Sequence, residues 1–115
     1  ISADAGQVID MDGLTNQLEG GFIQAASWTL KETVRFGEYA SISDNWDSYP
    51  ILTFPEVPTV ETIVLDQPDA PCLGAGEATQ GPTPAAIGNA IFDATGIRIR
   101  DIPFLPERLR SLALK

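Results

Sequence analysis

Two adjacent glycines, Gly20 and Gly21, stand inside a helical run, and they constrain the fold more than any other feature of the chain. From Leu14 onward the apolar positions Leu18, Phe22, Ala25, Ala26, Leu30 and Val34 recur at intervals of three and four, the period of an amphipathic helix. The spacing predicts a helix from about residue 13 to about residue 34, with Asp10 or Asp12 as its N-cap. Each glycine in such a helix interior costs about 1 kcal/mol relative to alanine. Close approach of a neighbouring element or of a bound ligand is the natural source of an offset. With Ala25, Ala26 and Ser27 the glycines make a small-residue face, and the simplest reading is tight packing against another helix. Gln24 reads as ordinary helix polarity.

The rest of the chain divides into short elements. Residues 1–9 read as the end of a strand and residues 39–42 as a short one. Residues 59–65, with Val60, Thr62, Ile63 and Val64, are the clearest strand because they are rich in β-branched side chains. Residues 44–58 are irregular and carry Trp46, Tyr49, Pro50, Phe54, Pro55 and Pro58, which read as a satellite hydrophobic cluster covering the core. Gln67-Pro68 and Ala70-Pro71 break regular structure. A second helix is expected over 82–94, with Thr83 as cap, Pro84 in the first turn and Gly96 as the residue that ends it. Its apolar face is Ile87, Ala90, Ile91 and Ala94. Ile97, Ile99 and Ile102 alternate with Arg98 and Arg100 as a short edge strand, and a last helical turn spans 106–114. The order β-α-β-β-α-β-(α) implies an α+β fold with two main helices packed on a small mixed sheet.

The chemistry open to this chain is narrow. With no histidine and one cysteine, it has no intrachain disulfide, no thiolate cluster and no Ser-His or Cys-His pair. Cys72 reads as a structural or incidental thiol, since its acidic surroundings lack the positive charge that activates one. Carboxylate chemistry is what remains. Gly74-Ala75-Gly76-Glu77 places one carboxylate in a glycine-containing loop just before a helix start. Such a loop either is a plain turn with a solvated acid, or holds Glu77 as a general base with Gly74 and Gly76 letting the backbone approach a bound group. Thr79 and Gln80 are candidates only for contacts behind the residues that would meet the bound group.

Charge excludes a partner class. The net charge is −9, from seven Lys and Arg against sixteen Asp and Glu, which disfavours the phosphate neutralisation that nucleic-acid binding requires. Arg98, Arg100, Arg108, Arg110 and Lys115 gather near the C-terminus, either as a mixed-charge solvated tail or as a docking face for an acidic partner. No apolar run approaches the roughly 18 residues of a membrane span. At 115 residues the chain has the length of one domain with a single core, but it opens without Met on a strand end, so it reads as a piece of a longer polypeptide.

Three ordered blocks give that polypeptide a family. The loop Gly74-Ala75-Gly76-Glu77 with residues 84–103 resembles the C-terminal end of the molybdenum-binding subunit of the xanthine dehydrogenase family. Gly6-Gln7-Val8-Ile9-Asp10 with Gln17-Leu18-Glu19-Gly20-Gly21-Phe22-Ile23-Gln24 looks like a second family block, and Tyr49-Pro50 in residues 45–52 a third. Within that family the chain resembles the isoquinoline 1-oxidoreductase and nicotinate dehydrogenase types. The resemblance implies that residues 1–115 are the C-terminal portion of a molybdenum-cofactor-binding domain. It implies hydroxylation of an N-heteroaromatic or aldehyde carbon with water as the oxygen source. Glu77 would be the catalytic base, and Gln17, Gly74, Ala75 and Gly76 would contact a molybdenum–pterin cofactor in its dinucleotide form. The implied partners are the remainder of the large subunit, a small subunit carrying iron–sulfur clusters, and a small organic substrate. Residues 44–58 would in that setting wall a substrate channel. The isolated chain is expected neither to retain the cofactor nor to turn over. A non-catalytic structural or interaction domain with the same fold is the alternative.

Overall fold

The computed structural model describes residues 1–114 and is organised around one long helix, α1 (Met11–Leu30). Asp10 caps it: the carboxylate accepts the Gly13 N–H at 3.1 Å. This satisfies one of the unpaired donors of the first turn. The helix ends four residues before the expected Val34, because the N–H groups of Lys31 and Glu32 both turn back to the Ser27 carbonyl, at 2.9 and 3.3 Å. Beyond that turn the side chains make the contacts. Lys31 Nζ sits 2.7 Å from both carboxylate oxygens of Glu56, in the 3₁₀ turn Phe54–Glu56, and Tyr49 donates its hydroxyl to Glu32 at 2.8 Å.

The second long helix, α2 (Pro82–Thr95), packs against α1. Pro82 occupies its first turn and Gly96, at φ +70°, ends it in the left-handed conformation that glycine adopts without strain. Thr83 does not cap this helix. It lies inside the first turn with its hydroxyl bonded back to the Thr79 carbonyl at 2.6 Å, and Gly81 holds the cap position. A short third helix, α3 (Pro106–Ala113), ends the described chain; Lys115 lies outside the described residues.

The α+β class holds with a smaller sheet than the sequence suggests. Strands β1 (Ser2–Asp4) and β2 (Ile63–Leu65) form a two-stranded parallel sheet, with Ala3 opposite Val64. The expected strand over 59–65 shortens to its last three residues, where the partner begins. Residues 39–42 form no strand: the backbone closes a tight turn, Gly37 N–H to Ala40 carbonyl at 2.7 Å, with one isolated bridge between Phe36 and Ser41. Residues 97–102 form none either. Ile99 is buried, but the segment pairs with no strand among the described residues; Phe104 donates its N–H to the Thr29 carbonyl at 2.7 Å and lays its ring over Gly88.

The core is small. Among the described residues the buried apolar set is Ala5, Leu18, Ala25, Ala26 and Ile99, while Tyr39 is 91% and Phe54 96% exposed. The satellite-cluster reading of residues 44–58 therefore applies to half-buried Tyr49, Leu52 and Val57 and not to Trp46 or Phe54. The radius of gyration, 17.2 Å, exceeds the roughly 13 Å of a compact domain of this length.

The Glu56 contact sets a pH response. Hydrogen bonds from Lys31 and from Thr53 hold its carboxyl at about 2, below the ordinary 4.5. A carboxylate whose pKa is lower in the folded chain stabilises the fold above its unfolded value and loses that contribution as the pH falls through the folded one. An NMR titration should therefore place the Glu56 midpoint at about 2. Lys31→Met should move it back toward the ordinary range.

Candidate functional site

The loop that carries Glu77 is fastened on both sides. On its N-terminal side the Leu73 N–H bonds the Ala5 carbonyl at 2.9 Å and the Gln7 N–H bonds the Ala70 carbonyl at 3.2 Å, so the connector runs along the extension of β1. On its C-terminal side two turns close the backbone: Ala78 N–H to Ala75 carbonyl at 3.3 Å, and Gln80 N–H to Glu77 carbonyl at 3.2 Å. Thr79 then enters the interior at 8% exposure and donates its hydroxyl to the Leu18 carbonyl of α1 at 3.0 Å.

This contact explains one of the two helix glycines. A Cβ on Gly21 would lie 2.5 Å from Thr79 Oγ1, whereas one on Gly20 would meet nothing within 4 Å. The close approach expected at the Gly20-Gly21 pair is made by a loop threonine, and at Gly21 only. Gln24, read from sequence as plain surface polarity, has a partner across the same seam. Its Oε1 accepts from Gln80 Nε2 at 2.9 Å. Sequence offers one signal for this seam, the cost of Gly21, but nothing in it pairs Gln24 with a residue 56 positions away.

Gln17 and the glycine loop come together. Gln17 is exposed on the α1 turn that bears Leu18, and its Oε1 lies 3.8 Å from where a Cβ on Gly76 would stand. Gly74 faces open space. Glu77 is exposed at the crest of the loop, and among the described residues its carboxylate makes no hydrogen bond. The N–H groups of Gly74, Ala75, Gly76 and Glu77 likewise form no backbone hydrogen bond among the described residues. The loop thus leaves four backbone donors without a backbone partner among the described residues, next to the exposed Gln17 amide.

Behind the loop lies an apolar groove of about 420 Å³ between β1 and the two helices, lined by Ile1, Ala3, Leu18, Phe22, Pro82 and Ala86 among others. Cys72 is exposed, with its Sγ 3.9 Å from Gln7 Oε1. The basic residues are largely occupied: Arg98 stacks on the Phe92 ring at 3.9 Å and bonds Asn89, and Arg108 bonds the Asp101 and Ile102 carbonyls. No helix of the described residues is long and apolar enough to cross a membrane.

The fold built around this loop is shared with a known oxidoreductase. The crystal structure of quinoline 2-oxidoreductase from Pseudomonas putida 86 superposes with a TM-score of 0.88 at 26% identity, over 99% of this chain and 16% of that one. The chain belongs to the molybdopterin cofactor-binding domain family, whose model matches residues 1–58, within the molybdopterin-binding subunits of the xanthine dehydrogenase family. One nicotinate dehydrogenase subunit, from Pseudomonas putida, is 46% identical over 96% of this chain and 9% of its own length. The beta subunit of isoquinoline 1-oxidoreductase from Brevundimonas diminuta is 33% identical over 91% of this chain and 13% of its own. The chain thus spans about a tenth of the length of these two relatives.

Proposed function

We propose that this chain is the C-terminal portion of the molybdenum-binding subunit of an oxidoreductase that hydroxylates an N-heteroaromatic or aldehyde carbon, with water as the oxygen source. The observation that carries the reading is the meeting of Gln17 with the Gly74–Gly76 loop, one residue from Glu77. The 46% identity to a nicotinate dehydrogenase subunit puts a ring-nitrogen substrate first, with an aldehyde as the alternative.

In this reading Gln17 and the free N–H groups of Gly74, Ala75 and Gly76 hold the edge of a molybdenum–pterin cofactor, in its dinucleotide form. When bound, that cofactor supplies the two-electron oxidation of the substrate carbon. Glu77 acts as general base and takes the proton from the water-derived nucleophile, which its place at the crest of the loop allows. The loop backbone is held by Leu73 on one side and Thr79 on the other, which fixes where the Glu77 side chain starts. Trp46, Phe54 and the other exposed apolar side chains pack against the remainder of the large subunit, where residues 44–58 help wall the substrate channel. Iron–sulfur clusters on a small partner subunit would supply the route by which the electrons leave.

Metal and pterin analysis of the complete native complex tests the reading. Near-stoichiometric molybdenum with a releasable pterin is expected. In the same assay Gln17→Ala should lower cofactor occupancy several-fold while changing turnover per bound molybdenum much less. A well-folded complex without molybdenum, matured in the presence of molybdate, would instead favour a non-catalytic interaction domain. Unchanged occupancy in the Gln17 variant would remove that residue from the site.

A further inference from the structure

We infer that Thr79 is the positioning residue of the Glu77 loop; this rests on the functional reading above. Three bonds converge on it. Its hydroxyl donates to the Leu18 carbonyl of α1 at 3.0 Å. Its carbonyl accepts both the Thr83 N–H at 3.2 Å and the Thr83 hydroxyl at 2.6 Å in the first turn of α2. One buried side chain therefore ties the loop to α1, and its own backbone ties the loop to α2. The Leu18 carbonyl belongs to the same turn as Gln17, while Glu77 and Gln80 close the turn that contains Thr79 at 3.2 Å. The two side chains expected to face the bound group are thus held in register through this buried hydroxyl, with the exposed Gln80–Gln24 bond beside it in the same seam. Gly21 is the counterpart of this joint, because only a missing Cβ leaves room for Thr79 Oγ1.

The hydroxyl can be removed without changing the shape of the side chain. In the complete complex, Thr79→Val deletes the donor and Thr79→Ser keeps it. Thr79→Val should raise amide exchange at Ala78 and Gln80, the two loop N–H groups that are hydrogen-bonded, by about tenfold, the size of one hydrogen bond, and leave residues 25–29 of α1 unchanged. With nicotinate as substrate and a dye as electron acceptor, kcat should fall by about ten- to a hundred-fold, with KM and molybdenum content within about twofold of the parent. Thr79→Ser should restore both exchange and kcat. Unaltered loop exchange in Thr79→Val, or a serine variant as impaired as the valine one, overturns the positioning role. Full turnover in Glu77→Gln overturns the catalytic reading instead, whatever Thr79 does, so the two failures are told apart.

Discussion

Replacing Glu77 by glutamine is expected to cut turnover by about a hundred- to ten-thousand-fold, the usual contribution of a general base, while molybdenum content stays at the parent level. The substitution separates chemistry from structure because the two side chains have the same shape and differ in their ability to accept a proton. Little else should change. Glu77 is exposed and its carboxylate makes no hydrogen bond among the described residues, so the fold loses no contact. Folding stability should move by no more than about 0.5 kcal/mol, as for an ordinary surface substitution. The loop geometry does not depend on the carboxylate either, since Leu73, Ala78, Thr79 and Gln80 hold it through backbone and hydroxyl bonds. Metal analysis and steady-state turnover of the purified complex decide the matter. Parallel loss of molybdenum and activity would mean that Glu77 supports the loop and does not act as base.

What sequence could show of this site follows from which interactions are local. The periodicity of α1, the Asp10 cap, and the Pro82 and Gly96 boundaries of α2 are set by residues within a few positions of one another, and all of these elements form. The Gly-x-Gly-Glu loop and its place before a helix are equally local. Strands are different, because a strand exists only where a partner does. Residues 59–62 have the composition of β2, but β1 begins at Ser2 and of their backbone only the Glu61 carbonyl is met, by the Ile1 amino group at 2.6 Å, while residues 97–99 bury Ile99 without pairing to a strand among the described residues. Residues 39–42 turn back on themselves at Gly37. The seam between α1 and the loop is also non-local: Leu18 to Thr79 and Gln24 to Gln80 span 61 and 56 residues. Gly21 signalled that something approaches there, and only the structure could say that it is Thr79.

The sharpest consequence of that seam is that the two neighbouring glycines should respond to alanine with opposite signs. At Gly20 a Cβ meets nothing within 4 Å, so Gly20→Ala gains helix propensity alone and should stabilise the chain by up to about 1 kcal/mol. At Gly21 the same gain is opposed by a Cβ standing 2.5 Å from Thr79 Oγ1. The threonine hydroxyl cannot rotate away cheaply. It is buried, it is bonded to the Leu18 carbonyl, and the Thr79 backbone is fixed by Thr83. The loop must therefore move off α1, with an overpacking cost of about 1–3 kcal/mol and the loss of a hydrogen bond worth about 1 kcal/mol. These terms exceed the propensity gain, and Gly21→Ala should be net destabilising by about 1–3 kcal/mol. Denaturant unfolding of the complete protein and its two variants reads the sign directly. If Gly21→Ala were as stabilising as Gly20→Ala, the loop would not be seated on the helix at Gly21. Gln17 and Glu77 would then lose the shared anchor that places them at one site.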